Sequence, residues 1–193
     1  MKFIAINTST SLCSVSLYEN SNFETLEEKN AKDHTVFLGE YTHDLLKGKP
    51  ESIDFLAVSV GPGSYAGIRT GVSFCKGLSL ALKKPIIPVN NFDCMQDLLN
   101  ITGKYYLTIY SHKNFVYKQF YKGNEKISSA KCIEVNQLND YPIYGCNLEH
   151  ILDEKDFHQI ELSSQQIGKY ALKYYDKLIE KDINRVKPIY IEM

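Results

Sequence analysis

Short apolar runs and period-two alternation fill the first part of the chain. Residues 2–7 (Lys2-Phe3-Ile4-Ala5-Ile6-Asn7) and 13–18 (Cys13-Ser14-Val15-Ser16-Leu17-Tyr18) read as a β-hairpin around a hydroxyl-rich turn, and residues 23–28 read as a third strand with outward acids. The period then changes to that of a helix over 33–47. Asp33 is placed to cap it, and Phe37, Leu38, Tyr41, Leu45 and Leu46 fall on one side. Residues 55–60 are a short apolar, β-branched run closed by Gly61-Pro62-Gly63, after which Ser64 offers a cap to a long helix over 64–82. Residues 85–89 form another short strand, and Asn90 or Asn91 caps a helix to about residue 99. The order strand, helix, strand over 55–89 predicts parallel strands joined by a right-handed crossover.

The helix over 64–82 carries little charge: Arg69, Lys76 and, just beyond its end, Lys83 lie on one narrow stripe. An ordinary surface helix is polar over about half its circumference, so most of this one is available for burial. Ile68, Val72, Cys75, Leu78 and Leu82 make one apolar row, expected on the sheet. Gly67, Gly71, Phe74, Gly77 and Ala81 make a second row of mostly small residues, with Thr70 beside it. Each interior glycine costs a helix about 1 kcal/mol relative to alanine, a cost that close approach by another element would offset. That element is either in the same chain or in a partner subunit.

Beyond Ile101-Thr102-Gly103-Lys104 a second lobe is expected, giving an N-terminal lobe over 1–102 with the central helix 64–82 and a smaller C-terminal lobe over 103–193. Residues 105–110 and 115–121 read as an aromatic hairpin, 126–135 continue its sheet, and 142–147 run from strand into turn. A capping box at Ser163 to Gln166 opens a last helix, with Ile167, Ala171, Tyr174 and Leu178 on one face and Lys169, Lys173, Lys177 and Lys181 recurring every four residues on another. A lysine row of this kind is either a solvated face or an RNA-facing one.

Composition narrows the function classes. A net charge of −1 over 193 residues gives no general affinity for nucleic acid. No run of 18 apolar residues suggests a membrane span, so the reading is of a cytoplasmic chain without membrane contact. The five cysteines, Cys13, Cys75, Cys94, Cys132 and Cys146, are scattered without a C-x-x-C pair, which argues against both a disulfide framework and a zinc site. His34 invites a metal reading, but residue 38 is leucine, so no second imidazole follows one turn later. No metal site is expected.

Thr8, Ser9 and Thr10, after Asn7, can bond local backbone or hold phosphate oxygens with exposed N–H groups, and Gly61, Gly63 and Ser64 form a second anion-friendly corner at a helix start. Gly61-x-Gly63-x-x-Ala66 fits the dinucleotide fingerprint formally, but it does not follow the first strand and no acid ends the next one. The phosphate-loop lysine is missing, and no convincing nucleophile and base pair supports a protease.

Phe3-Ile4-Ala5-Ile6-Asn7-Thr8-Ser9-Thr10, Cys13-Ser14-Val15, Ser59 through Gly71, and Lys76-Gly77-Leu78 together resemble the TsaB (YeaZ) family. The resemblance covers the first hundred residues, with echoes in His34 and in Pro188-Ile189-Tyr190-Ile191. It implies a two-lobed α/β fold of the actin/Hsp70/sugar-kinase-like (ribonuclease H-like) kind, with mixed sheets and a reduced second lobe. It also implies a non-catalytic subunit of a TsaB–TsaD–TsaE complex that forms threonylcarbamoyladenosine on tRNAs reading ANN codons. In that family the small-residue helix pairs with TsaD, which the chain scaffolds and activates; TsaE is the ATPase of the assembly. The interface candidates here are Gly67, Thr70, Gly71, Phe74, Cys75, Gly77, Leu78 and Ala81, with a homodimer expected when the chain is alone and tRNA met through the complex. Two departures concern nucleotide. The family's first strand ends in aspartate where this chain has Asn7, and Gly145-Cys146-Asn147-Leu148 lacks an acidic glycine-rich turn. No cofactor is expected to be required, and at most weak ATP or ADP binding at Asn7, Thr8, Ser9, Thr10, Gly61, Gly63 and Ser64. The alternative is a stand-alone ATPase or kinase-like protein of the same superfold, which nucleotide turnover by the isolated chain would favour.

Overall fold

A computed structural model describes residues 1–29, 33–138 and 141–192. The hairpin forms from β1 (Phe3–Asn7) and β2 (Leu12–Glu19), and β3 (Asn22–Lys29) extends it antiparallel. On the other side of β1 lie β4 (Phe55–Gly61) and β5 (Ile86–Asn90), both parallel, so the first sheet runs β3-β2-β1-β4-β5. This central position explains why β1 and β4 are buried throughout.

Alternation along β1 sends its residues to two cores. Ile4 and Ile6 join Leu38 and Leu45 of α1 (His34–Leu46) and Ile68, Val72 and Cys75 of α2 (Tyr65–Leu82). Phe3 and Ala5 join Phe92 and Met95 of α3 (Asn91–Asp97), and Ile167 and Ala171 of α4 (Ser164–Lys173), on the opposite face. That second core continues into Tyr105, Leu107 and Tyr121, which belong to the second sheet. There β6 (Lys104–His112) and β7 (Phe115–Lys122) make the expected aromatic hairpin. The run 126–135 divides into β8 (Glu125–Lys126) and β9 (Lys131–Glu134), both paired with β7, and β10 (Ile143–Cys146) and β11 (His158–Gln159) follow in parallel beside β6.

Two differences from the sequence reading have physical causes. The last helix stops at Lys173 and resumes only as α5 (Tyr175–Leu178), because Tyr174, at φ −113° and ψ 25°, leaves helical geometry. Its hydroxyl donates to Asp97 Oδ1 at 2.8 Å, and Lys173 Nζ reaches the same oxygen at 2.6 Å. The lysine row is therefore not one helix face: Lys173 is paired with α3, and Lys181 lies beyond both helices. The second difference concerns the lobes. Much of the chain expected in the second lobe returns to the first sheet: α4 packs across β1, β2 and β4, Glu180 bridges to Ile86, and the Ile189 N–H donates to Val60 O at 2.7 Å.

Candidate functional site

The turn after β1 and the corner after β4 meet, as expected for one cleft, but their polar groups are turned on each other. Asn7 is fully buried. Its Nδ2 donates to Leu162 O at 2.6 Å, while its Oδ1 accepts from Ser9 N at 3.0 Å and from Ser9 Oγ at 2.7 Å. Asn91 Nδ2 donates both to Ser9 Oγ at 2.7 Å and to Pro62 O at 2.8 Å, and Ser59 Oγ donates to Asn91 Oδ1. Thr8 Oγ1 donates to Gly67 O at 2.7 Å, Thr10 Oγ1 accepts from Leu12 N, and Ser64 N donates to Ser9 O at 2.7 Å. A Cβ on Gly63 would come within 2.2 Å of Ser9 O, so only glycine lets the two loops touch there. The arrangement is a satisfied buried network, which rigidifies a junction. As a cradle it turns the Asn7, Thr8 and Ser9 side chains inward onto protein partners rather than toward an anion.

Asn7→Asp is accordingly a structural change. A carboxylate at that position loses the donor to Leu162 O and faces a carbonyl oxygen without solvent, which costs about 2–4 kcal/mol at neutral pH. Burial raises the carboxyl above its unfolded value of about 3.9. The penalty is therefore complete above the raised folded value, shrinks as pH falls through it, and vanishes below about 3.9, where a protonated oxygen can donate to Leu162 O. Urea unfolding of both proteins from pH 4 to 8 should show the gap widening with pH; a pH-independent gap contradicts it.

Between the sheets, Ser11 Oγ donates to Asn147 Oδ1 at 3.2 Å. A concavity of about 270 Å³ opens on one side, where His34, Ser64, Tyr110 and His150 line the wall, and one of about 240 Å³ on the other, beside Lys29, Glu149 and Glu161. Both are smaller than the roughly 300–1,000 Å³ of sites that enclose a drug-sized ligand. Burial holds the His34 imidazole below its usual pKa, partly opposed by Asp33. Among the described residues no three His, Cys, Asp or Glu side chains gather to hold a metal ion. All five cysteines are unpaired; burial pushes Cys13 up to about 11 and Cys146 up to about 12, away from thiolate reactivity.

The interface candidates on α2 divide between its two sides. Gly67, Gly71 and Cys75 are buried inside the chain. A Cβ on Gly67 would lie 1.9 Å from Thr8 O, and one on Gly71 2.4 Å from Thr8 Oγ1, so the close neighbour those glycines admit is the chain's own turn. Their place in a partner surface is corrected on that ground. Thr70, Phe74 and Leu78 are half-buried, while Gly77, with nothing within 4 Å of its Cβ position, and Ala81 are exposed. The open strip runs through Ala66, Arg69, Ser73, Gly77, Leu80 and Ala81, with Leu80 67% exposed. Ala66, Ser73 and Leu80 are missing from the sequence candidates. The phase of Arg69 and Lys76, which must face outward, is the signal that locates them. At the start of the strip, Arg69 lies 3.9 Å over the Tyr65 ring and its Nε donates to Tyr190 Oη at 2.8 Å, which pins the C-terminal segment against α2.

A protein named tRNA threonylcarbamoyladenosine biosynthesis protein TsaB from Buchnera aphidicola (subsp. Acyrthosiphon pisum) is 32% identical to this chain over 97 residues, covering 49% of the chain and 44% of that protein. The TsaB of Escherichia coli K12 is 33% identical over 98 residues, covering 49% and 42%. These matches span less than half the length of either relative. A longer match, 26% identical over 162 residues, covers 69% of the TsaB of Bacillus subtilis. The family model described as TsaD: tRNA N6-adenosine threonylcarbamoyltransferase matches residues 26–167, well over half of the chain. The chain belongs to the TsaD/TsaB family. The solved YeaZ (TsaB) of Pseudomonas aeruginosa superposes with a TM-score of 0.74 at 18% identity, covering 98% of this chain and 99% of that one. An uncharacterized protein with similarity to peptidase YEAZ, also from Pseudomonas aeruginosa, gives 0.80 at 18% identity over 99% of both. This likeness shows the fold: the YeaZ architecture, an α/β chain built on two mixed sheets.

Proposed function

We propose that the chain is a non-catalytic partner subunit in the formation of threonylcarbamoyladenosine on tRNAs reading ANN codons. It docks the outward strip of α2 on a TsaD homologue, scaffolds and activates that subunit, and works in an assembly with a TsaE ATPase. Alone, it pairs with a second copy through the same strip. The observation that carries the reading is the strip itself: an 18-residue helix whose exposed side, beyond Tyr65, Ala66 and Arg69 at its start, is built from the small residues Ser73, Gly77 and Ala81 around an exposed Leu80. Small side chains allow a facing helix to approach closely, and an exposed leucine gives it something to bury. No helix of the described residues is long and apolar enough to cross a membrane, and a role on tRNA fits the cytoplasm.

The test is reconstitution. The chain is combined with the TsaD and TsaE homologues of its source, threonylcarbamoyl-adenylate and tRNA, and modified adenosine is measured. Modification is expected only when the chain is present, and none from the chain alone. Metal-dependent turnover by the pure chain, abolished by one substitution within it, would favour the ATPase or kinase-like alternative instead.

Nucleotide is not required in this reading. With the Asn7, Thr8 and Ser9 side chains engaged internally, calorimetry of the isolated chain with ATP or ADP is expected to give a Kd no tighter than about 0.1–1 mM. Micromolar binding would contradict that degenerate cleft.

A further inference from the structure

We infer that Lys83, Lys84 and Lys181 form a docking site for the phosphodiester backbone of RNA, at the end of the partner helix. This rests on the reading just proposed and names where that assembly touches its tRNA.

The three lysines come from distant parts of the sequence and are brought together by specific bonds. Lys83 caps α2 in the left-handed conformation, at φ 55°. Ser79 then fixes the next residue, its Oγ donating to Lys84 O at 2.6 Å and its carbonyl accepting from Lys84 N at 3.2 Å. The paired bonds between Ile86 and Glu180, 2.8 and 3.0 Å, set Lys181 beside this turn. The result is a hollow of about 440 Å³ walled by the three lysines with Ser79, Leu80 and Pro85, and with no acid in its lining.

The charge there is uncompensated. Four lysines elsewhere are paired, Lys2 with Glu19, Lys126 with Asp93, Lys155 with Asp153 and Lys173 with Asp97, and others among the described residues, such as Lys76 and Lys169, are not; what sets this group apart is that three lysines line one hollow without an acid. Among the described residues Lys83, Lys84 and Lys181 have no ion pair. The nearby acids in sequence are engaged with their own turn, Glu180 Oε1 accepting from Asp182 N and Asp182 accepting from Asn184 N while lying 3.8 Å from Arg185. Three gathered like charges repel unless an anion joins them, and a polyanion answers all three at once. The whole chain, at −1, has no general attraction for RNA, so contact requires a local set such as this one. The hollow also shares Leu80 with the docking strip, which places it at the rim of the proposed pairing surface, where a substrate held by the partner is within reach. The evenly spaced lysines of α4 and α5 lack this convergence, since Lys173 is neutralised by Asp97.

The test uses the assembled pair of this chain with its TsaD homologue and a labelled unmodified tRNA, with binding followed by fluorescence anisotropy across a salt series. The variant is Lys83→Asn with Lys84→Ala and Lys181→Ala, asparagine being chosen because it tolerates the left-handed cap. A control removes Lys169, Lys177 and Lys187 by alanine. The hollow variant should weaken tRNA binding about 10-fold or more and lower the salt slope by about 2–3, one unit for each lysine that meets a phosphate. The control should change binding by less than about twofold, and both should still pair with TsaD. Equal tRNA binding by the hollow variant and the wild type, or an equal loss in the control, overturns the inference while leaving the pairing reading intact. Loss of pairing with unchanged tRNA binding would make the hollow a contact for an acidic protein segment, which also overturns it. A wild-type pair that fails to form contradicts the parent reading instead.

Discussion

Gly67→Ala is expected to destabilise the chain by about 3 kcal/mol or more, although alanine is the better helix former. In an open helix the substitution gains about 1 kcal/mol. Here the new methyl would meet the Thr8 carbonyl at 1.9 Å, and that carbonyl belongs to the backbone of a fully buried turn. Relief requires α2 to lift from the sheet, which opens the packing of Ile68 and Val72, or requires the turn to move, which breaks the Asn7, Ser9 and Asn91 network. Overpacking of this kind costs about 1–3 kcal/mol even where side chains can give way. Gly77→Ala is the internal control. Its Cβ position has nothing within 4 Å, so the ordinary helix gain should appear undiminished. Urea midpoints should therefore shift in opposite directions for the two variants. A neutral or stabilising Gly67→Ala would mean that the turn does not approach α2 as described.

Gly77→Arg separates folding from pairing. Position 77 is exposed at the middle of the open strip, and arginine is a better helix former than glycine, so the isolated chain should be as stable as wild type or more so. A long charged side chain standing between two helices nevertheless prevents their close approach. The expected loss in affinity for the TsaD homologue is about 2 kcal/mol or more, roughly 30-fold in Kd. Sedimentation or calorimetry against the partner reads the affinity, and a melt reads the fold. A stable variant that pairs normally removes position 77 from the interface.

Much of the fold was legible because the signals were local. The hairpin of β1 and β2, the apolar run of β4, the Ser64 cap and the crossover to β5 follow from periodicity and turn chemistry. The lost details were tertiary. Periodicity showed that Gly67, Gly71 and Gly77 are small positions on one helix, but whether each faces a turn of the same chain or open solvent depends on where Thr8 lies in space. The last helix read as continuous through Leu178, but it breaks at Tyr174, whose hydroxyl meets Asp97, far away in sequence. For the same reason the lysines that gather are not those with regular spacing. Lys83, Lys84 and Lys181 carry no joint pattern in the sequence and meet only because the chain after α4 returns to β5.

The central claim is that the outward strip of α2 is where this chain meets its partner. It is tested most directly by placing a photo-crosslinking side chain at Ser73, which is exposed at the middle of the strip, and at Lys169, which is exposed on α4, in two otherwise unchanged proteins mixed with the TsaD homologue. Light should join the chain to TsaD from position 73 and not from position 169. Crosslinking from position 169 alone, or from neither position under conditions where modification of tRNA proceeds, would contradict the account.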